Sequence, residues 1–136
     1  MHKLLFILPF AFIACGPEPQ TETDIQAEID EKYAAGKAVY DKSCISCHQS
    51  DGLGMEGVFP PLADSDYLLE DKSRAARQVF HGLKGEITVN GETYDGIMPP
   101  QELSAEEVKD VINYVLNSWG NDGGEITLEE VEKEQI

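Results

Sequence analysis

Two cysteines and a histidine in the segment Cys44-Ile45-Ser46-Cys47-His48 are the residues best suited to chemistry. Side chains three residues apart in one helical turn project from the same face, so both sulfurs can bond to one side of a flat porphyrin. This spacing, with histidine directly after the second cysteine, is the attachment pattern of c-type haem. The imidazole of His48 can then bind the iron, provided that a neighbour accepts the proton on its other ring nitrogen. The segment therefore predicts one covalent haem c.

Two other chemistries use cysteines at this spacing. A structural zinc site usually recruits a second Cys or His pair, but the third cysteine, Cys15, lies far upstream in an apolar N-terminal segment. A redox-active dithiol is expected beside a strand-helix-strand pattern, and no such pattern surrounds residues 44–48. Haem attachment is favoured over both alternatives.

An iron that only carries electrons needs a second axial ligand, and methionine sulfur is one such ligand. Beyond Met1, the chain has Met55 and Met98. Met55 follows His48 by only seven residues, so a chain rising about 3.4 Å per residue would be nearly taut around the ring. Met98, on a loop stiffened by two following prolines, is the better candidate. A packed or surface methionine is the alternative interpretation.

The elements expected to position these residues are mainly helical. Apolar residues at intervals of three and four predict one helix from Ile25 and another behind the capping box at residues 104–107. Residues 71–80 favour a further helix that ends at a glycine C-cap, Gly82. An Asn-Gly pair at residues 90–91, between short β-prone runs, predicts a hairpin before the methionine loop. The pattern thus favours an all-α fold with one small β-hairpin insertion.

Lys72, Arg74 and Arg77 cluster on the predicted helix at residues 71–80. Two interpretations stay open, a solvated helix face and pairing with haem propionates. His81, at the end of this helix, is interpreted as a cation near a helix C-terminus rather than as a ligand.

Residues 52–57 spell G-x-G-x-x-G, a pattern also found in dinucleotide-binding sites. In dinucleotide-binding sites, this glycine pattern follows a β-strand and lies at the start of a helix. Here the haem-attachment segment precedes it and a Pro-Pro pair follows it. The glycines are therefore expected to let a loop turn tightly beside the porphyrin.

The motifs over about residues 33–120 resemble those of class I cytochromes c. Gly36 and Tyr40 resemble the glycine and the aromatic that pack the family's N-terminal helix across its C-terminal helix, and Val111 and Tyr114 resemble their partners there. The resemblance implies a cytochrome c fold, with helices packed around one covalent haem.

The same resemblance implies roles for three residues near the haem. Pro60 matches the proline whose carbonyl accepts the ring proton of the proximal histidine, and Leu62 matches an apolar haem contact. Met98 precedes proline on a loop before the last helix, as the family's sulfur ligand does. The hydrogen bond to Pro60 would fix the tautomer of His48 and strengthen it as a ligand.

The formal net charge is −16, and residues 16–32 and 121–136 each hold six acids and one base. Acidic flanks of this kind are ordinarily solvated. Nucleic acid is not expected as a partner, because its phosphates would be repelled. A redox donor and acceptor with a basic docking face are expected instead.

The N-terminus has the pattern of an export signal. The apolar run at residues 4–14 has the length of a signal-peptide core and is too short for a membrane span. Residues 12–16 resemble the lipobox of bacterial lipoproteins, although Phe12 stands where that family usually has Leu. Lipidation at Cys15 would make residues 15–24 an acidic, flexible tether. An ordinary signal peptide, with Cys15 discarded or left as an odd thiol, is the alternative.

Four segments are therefore expected: a signal peptide at 1–14, a lipid-anchored tether at 15–24, a cytochrome c domain at 25–120 and an acidic extension at 121–136, which either packs or trails. The expected location is the periplasmic side of a bacterial membrane or the cell surface, or the soluble periplasm without the anchor. Because the core is small without its porphyrin, the haem-free chain is expected to be largely unfolded.

The expected function is that of a non-enzymatic electron carrier, cycling between Fe(II) and Fe(III) and passing electrons between respiratory redox partners. Residues 114–124 also resemble haem domains that accompany copper nitrite reductases, dehydrogenases and oxidases. A haem c subunit permanently docked to a periplasmic reductase or dehydrogenase is therefore the alternative. A haem peroxidase or gas sensor would need an open iron position.

Overall fold

The computed structural model describes residues 21–136, so Cys15, the predicted signal peptide and most of the predicted tether lie outside the described residues. The helices in this range are α1 (Glu22–Lys32), α2 (Ala34–Ser43), α3 (Ile45–His48), α4 (Asp66–Glu70), α5 (Lys72–His81), α6 (Ala105–Asn117) and α7 (Leu128–Glu134). The strands are β1 (Leu83–Lys84), β2 (Ile87–Val89), β3 (Glu92–Tyr94) and β4 (Ile97–Met98). The predicted helical character is confirmed. No helix in the described range has the length and apolar content of a membrane span.

The first helix begins three residues earlier than predicted. The Thr21 hydroxyl accepts a hydrogen bond from the Asp24 backbone N–H at 3.2 Å, and the Asp24 carboxylate accepts one from the Thr21 N–H at 3.0 Å. This capping box satisfies two of the free donors at the helix start, so the helix starts at Glu22. Residues 22–24 are therefore helical rather than part of a flexible tether. Tyr33, with φ −110° and ψ 35°, separates α1 from α2.

The helix α6 is the centre of the core, and α2 crosses it. The capping box between Ser104 and Glu107 starts α6 as predicted. A Cβ added at Gly36 would lie 2.1 Å from the Asp110 carbonyl oxygen and 2.8 Å from Tyr114 Cβ. Only glycine permits this approach of the two backbones, so the close contact predicted for Gly36 is present. Val111 lines a cavity on another side of α6.

The extension at residues 121–136 packs on the domain. Val131 of α7 and Ile126 before it are buried in the same core as α6. The Asn113 side chain donates to the Ile126 carbonyl at 3.1 Å and accepts from its N–H at 2.7 Å. Arg77 of α5 pairs with Glu134 at 2.7 Å. The packed domain therefore continues past residue 120, because Ile126 and Val131 face the core.

The strands form two short antiparallel pairs before α6. In the first, Leu83 of β1 is opposite Met98 of β4. In the second, Ile87 of β2 is opposite Tyr94 of β3. Asn90 and Gly91 connect β2 to β3 with φ of 52° and 81°, the left-handed values that suit a tight hairpin turn.

Candidate haem site

A cavity of about 340 Å³ opens between the α3 turn, the Met98 loop and the inner face of α6. Its walls are mostly apolar. The apolar lining from α5, the hairpin and α6 includes Ala75, Val79, Ile87, Val89, Val111, Ile112 and Val115. Such a lining excludes water and suits a flat, largely apolar ligand.

The attachment residues lie together on one wall of this cavity. Cys44 is the N-cap of α3, and Cys47 and His48 lie within that single turn. The backbone N–H groups of Cys47 and His48 donate to the Cys44 carbonyl oxygen at 3.2 and 3.0 Å. These bonds hold both sulfurs and the imidazole in one compact turn, as thioether attachment beside an axial ligand requires.

The two alternative chemistries fit this turn poorly. Burial raises the pKa of the Cys44 thiol to about 11, whereas a reactive redox dithiol needs a lowered pKa. Among the described residues, no group of three or more His, Cys, Asp or Glu side chains is arranged to hold a metal ion. The environment of the thiols therefore favours haem attachment over a redox dithiol or a zinc site.

His48 is oriented by a backbone carbonyl. Its Nδ1 atom lies 3.0 Å from the Pro60 carbonyl oxygen, the contact that the resemblance implied. With the proton on Nδ1, this nitrogen donates to Pro60 and Nε2 keeps its lone pair. Burial lowers the pKa of the His48 imidazole, and the Pro60 bond only partly opposes this. The ring is therefore held neutral, which is the form that binds iron.

The loop before Pro60 turns tightly through glycines, as predicted. Gly54 has φ of 66° and donates to the His48 carbonyl at 3.0 Å. A Cβ there would lie 2.3 Å from the Phe59 carbonyl oxygen. The Leu62 N–H donates to the Gly52 carbonyl at 2.7 Å, and Leu62 lines the cavity. The glycine pattern thus shapes the wall of the cavity.

Asn121 connects this loop to α6, and the sequence did not predict this role. Its side-chain oxygen accepts from the Asp64 N–H at 2.8 Å, and its nitrogen donates to the carbonyls of Leu62 and Val115 at 2.9 and 2.7 Å. One asparagine in a turn after a helix resembles any other turn residue. Only the folded chain identifies its partners.

Of the two methionines considered as distal ligands, only Met98 reaches the cavity. Met98 is half-buried and lines it, whereas Met55 is about half exposed and does not. The Gln101 N–H donates to the Val79 carbonyl at 2.8 Å. Gly82 lies so close that a Cβ there would be 2.5 Å from the Met98 carbonyl oxygen. The end of α5 therefore fixes the loop that carries Met98.

The three cations of α5 have different surroundings. Arg74 lines the cavity, stacks 3.7 Å over the Tyr67 ring and pairs with Glu70 at 3.1 Å. Lys72 and Arg77 instead form ion pairs with residues of α7.

Arg74 also has an unpaired hydrogen-bond donor. Its buried Nε has no hydrogen-bond partner among the described residues, although its guanidinium donates to the Tyr67 carbonyl. A buried unpaired donor beside a cavity is costly, and a carboxylate such as a haem propionate would satisfy it.

His81 does not line the cavity, and its Nε2 lies 2.9 Å from the Glu134 carbonyl oxygen. The position of His81 therefore agrees with its interpretation as a non-ligand. The two cysteines, His48, Met98 and Arg74 are therefore the cavity residues that could hold a covalent haem.

Comparison with known proteins agrees with this geometry. The Cytochrome c family model matches residues 33–119. The chain is 36% identical over 93 residues to cytochrome c-552 of Thermus thermophilus, covering 65% of this chain and 70% of that protein. It is 32% identical over 103 residues to the cytochrome c subunit of a quinone alcohol dehydrogenase from Gluconacetobacter polyoxogenes, covering 72% of this chain but 22% of that subunit. It is also 33% identical over 87 residues to the FixP subunit of a cbb3-type cytochrome c oxidase from Sinorhizobium medicae, covering 62% of this chain and 29% of that subunit.

With more than half of its residues inside the family match, the chain belongs to the cytochrome c family. It is a class I c-type cytochrome, an electron carrier with one covalent haem c.

Proposed function

We propose that this chain is an exported, membrane-tethered monohaem carrier that passes single electrons between respiratory redox proteins. The observation that supports this most is one apolar cavity lined by Cys44, Cys47, His48 and Met98. Attachment, proximal ligation and distal ligation would all be provided within that cavity.

In this proposal, Cys44 and Cys47 would hold the haem through thioether bonds, and His48 Nε2 and Met98 Sδ would bind its iron. The Pro60 carbonyl would keep His48 in the required tautomer, and Leu62 in the cavity wall would pack against the porphyrin. The β2–β3 hairpin closes one side of the cavity through Val89 and Tyr94. The bound haem supplies one-electron exchange between Fe(II) and Fe(III).

Binding of the iron by two protein side chains would favour electron transfer over catalysis at the haem. With His48 and Met98 both bound, no coordination site is left for a substrate or gas, and a thioether ligand raises the reduction potential relative to two histidines. The lining of the cavity is mostly apolar and therefore disfavours water there. A peroxidase or gas sensor would need one of these positions to stay open.

The anchor is proposed at Cys15, after removal of residues 1–14. The first helix begins at Glu22, seven residues beyond this cysteine, so the domain would sit near the membrane on the periplasmic side or at the cell surface. Mass spectrometry of the mature N-terminus tests this, with acyl chains on Cys15 expected. A Cys15→Ser variant that remains membrane-bound would contradict the anchor.

The proposed partners are redox proteins with a basic docking face, because the chain has a net charge of −16. The rate of electron exchange with such partners should fall as ionic strength rises. The relatives that are subunits of a dehydrogenase and an oxidase favour a second candidate, a haem c subunit permanently docked to a periplasmic reductase or dehydrogenase. Copurification with another chain in fixed stoichiometry would favour that candidate.

An optical spectrum of the purified holoprotein, in both oxidation states, tests the haem assignment. We expect c-type bands that change on reduction, no carbon monoxide adduct of the native ferrous protein, and a pigment that acidified organic solvent does not extract. An extractable pigment would exclude covalent attachment, and a carbon monoxide adduct would indicate an open iron position.

A further inference from the structure

Exposed apolar side chains cluster beside the mouth of the haem cavity. Leu53, Met55, Val58 and Ile97 are 60%, 49%, 48% and 70% exposed. Val58 and Ile97 also line the cavity, whereas Leu53 and Met55 lie outside its wall. The apolar patch, as we call these four residues, therefore extends outward from the edge of the cofactor site.

Two loops form one continuous surface here. The Val58 N–H donates to the Met55 carbonyl, and the Met55 N–H donates to the Phe59 carbonyl, both at 2.9 Å. These bonds fix Met55 next to Val58 in one turn. A Cβ added at Gly96 would lie 3.3 Å from the Val58 carbonyl oxygen, so the loop that carries Ile97 packs directly against that turn.

Exposed carboxylates lie in the same two segments as the apolar patch. Residues 51–58 and 84–97 contain five acids and one base, and the acidic rim is defined as Asp51, Glu56, Glu92 and Asp95. The Asp51 carboxylate accepts from the Leu53 N–H at 3.1 Å. Glu92 accepts from the Tyr94 hydroxyl at 3.1 Å. Asp51 is therefore held beside the apolar patch, and Glu92 beside Tyr94 in the cavity wall.

The carboxylates of the acidic rim form no ion pairs among the described residues, unlike other acidic parts of the surface. Within residues 21–136, seven of the nine Lys and Arg side chains form ion pairs with acids elsewhere in the chain. None of these ion pairs involves the acidic rim. One cation, the exposed Lys84, lies opposite Ile97 in the β1–β4 pair, so residues 51–58 and 84–97 keep a net excess of four negative charges.

We propose that the apolar patch and the acidic rim together dock a redox protein whose own docking face has an apolar centre within a ring of Lys and Arg. This rests on the proposed function as an electron carrier. A surface with a net acidic excess steers and orients a basic partner. An exposed apolar patch marks a surface that another molecule covers, and here that molecule would meet the cavity edge through which electrons must pass.

The test compares electron exchange of the holoprotein with two redox probes. The protein probe is a ferric, lysine-rich mitochondrial cytochrome c, which oxidises the ferrous holoprotein. The small probe is the cation hexaammineruthenium(II), which has no apolar face and reduces the ferric holoprotein. A double variant, Leu53→Ser with Met55→Gln, should slow exchange with the protein probe about 10-fold. Its rate with the small cation should stay unchanged, because neither residue lines the cavity. The control Ile25→Gln removes an apolar side chain that is 47% exposed on α1 and should change neither rate.

The acidic rim is tested by charge variants. Glu56→Gln with Asp95→Asn should flatten the dependence of both rates on ionic strength. The control, Glu31→Gln with Glu132→Gln, removes the same charge from exposed positions on α1 and α7. Its rates should depend on ionic strength more steeply than those of the Glu56 and Asp95 variant.

Wild-type rates in the Leu53 and Met55 variant, or equal flattening by the control charges, would overturn the docking surface while leaving the carrier function intact. A wild-type holoprotein that exchanges electrons with neither probe would overturn the carrier function itself.

Discussion

A Cβ added at Gly36 would lie 2.8 Å from the Cβ of Tyr114, so these two residues bring α2 and α6 into backbone contact. The Tyr114 ring then packs 5.5 Å from Tyr40, which contacts Trp119 at 5.2 Å between ring centroids. Trp119 donates to the Ser50 carbonyl at 3.1 Å. The helix crossing thereby supports the chain that follows the haem-attachment turn.

Gly36→Ala should destabilise the folded holoprotein. Overpacking costs about 1–3 kcal/mol, and the better helix propensity of Ala returns about 0.5–1 kcal/mol. We expect a net loss of about 1–2 kcal/mol in denaturant unfolding followed by circular dichroism. A raised denaturation midpoint would contradict the close approach.

Met98→Ala should lower the reduction potential and allow carbon monoxide to bind the ferrous protein, because the distal ligand would be lost. Potentiometry and optical spectra measure both effects. Met55→Ala is the matched control, since Met55 does not line the cavity, and it should leave the potential unchanged. Unchanged spectra in Met98→Ala would remove this residue from the iron site.

Arg74→Gln should lower the reduction potential, whereas Arg77→Gln should not. Arg74 lines the cavity with a spare buried donor, and Arg77 pairs with Glu134 on α7. Removing a partly exposed positive charge near the haem favours Fe(III) by about 0.5–1 kcal/mol, which is about 20–40 mV for one electron. Equal potentials in the two variants would indicate that Arg74 does not face a propionate.

Val131→Ala should destabilise the domain by about 1–3 kcal/mol, because a fully buried side chain of α7 would leave a cavity. Chemical denaturation of the holoprotein measures this loss. Ile136→Ala, at a fully exposed position near the same terminus, is the control and should cost nothing measurable. Equal stability of both variants would mean that α7 does not belong to the core.

Docking of α7 should weaken in acid. Hydrogen bonds from the backbone and hydroxyl of Thr127, aided by the charge of Lys72, lower the pKa of Glu130 below its usual 4.5. A carboxyl group whose pKa is lower in the folded chain than in the unfolded chain stabilises the folded form above about pH 4.5. This contribution to stability is lost as the pH falls through the lowered pKa. Protection of the Val131 amide against hydrogen exchange should fall over that range. Glu130→Gln should show a smaller pH dependence, and Glu132→Gln should keep the full one.

Much of the fold followed from local patterns. The capping box at Ser104 and the glycine after α5 each specify a helix end through bonds within four residues. The same rule explains the missed start of α1, since Thr21 and Asp24 form another capping box. The break at Tyr33 was not predictable, because the apolar pattern runs across it without interruption.

The sequence by itself determined the haem-attachment turn, the acidic charge and most helix ends, because each depends on residues that are neighbours along the chain. Only the tertiary structure decided that Met98 rather than Met55 reaches the cavity, that Arg74 alone among the α5 cations lines it, and that α7 packs on the domain. These outcomes depend on contacts between distant segments. Residue types and spacing do not predict such contacts, because packing of the whole chain decides which distant segments meet.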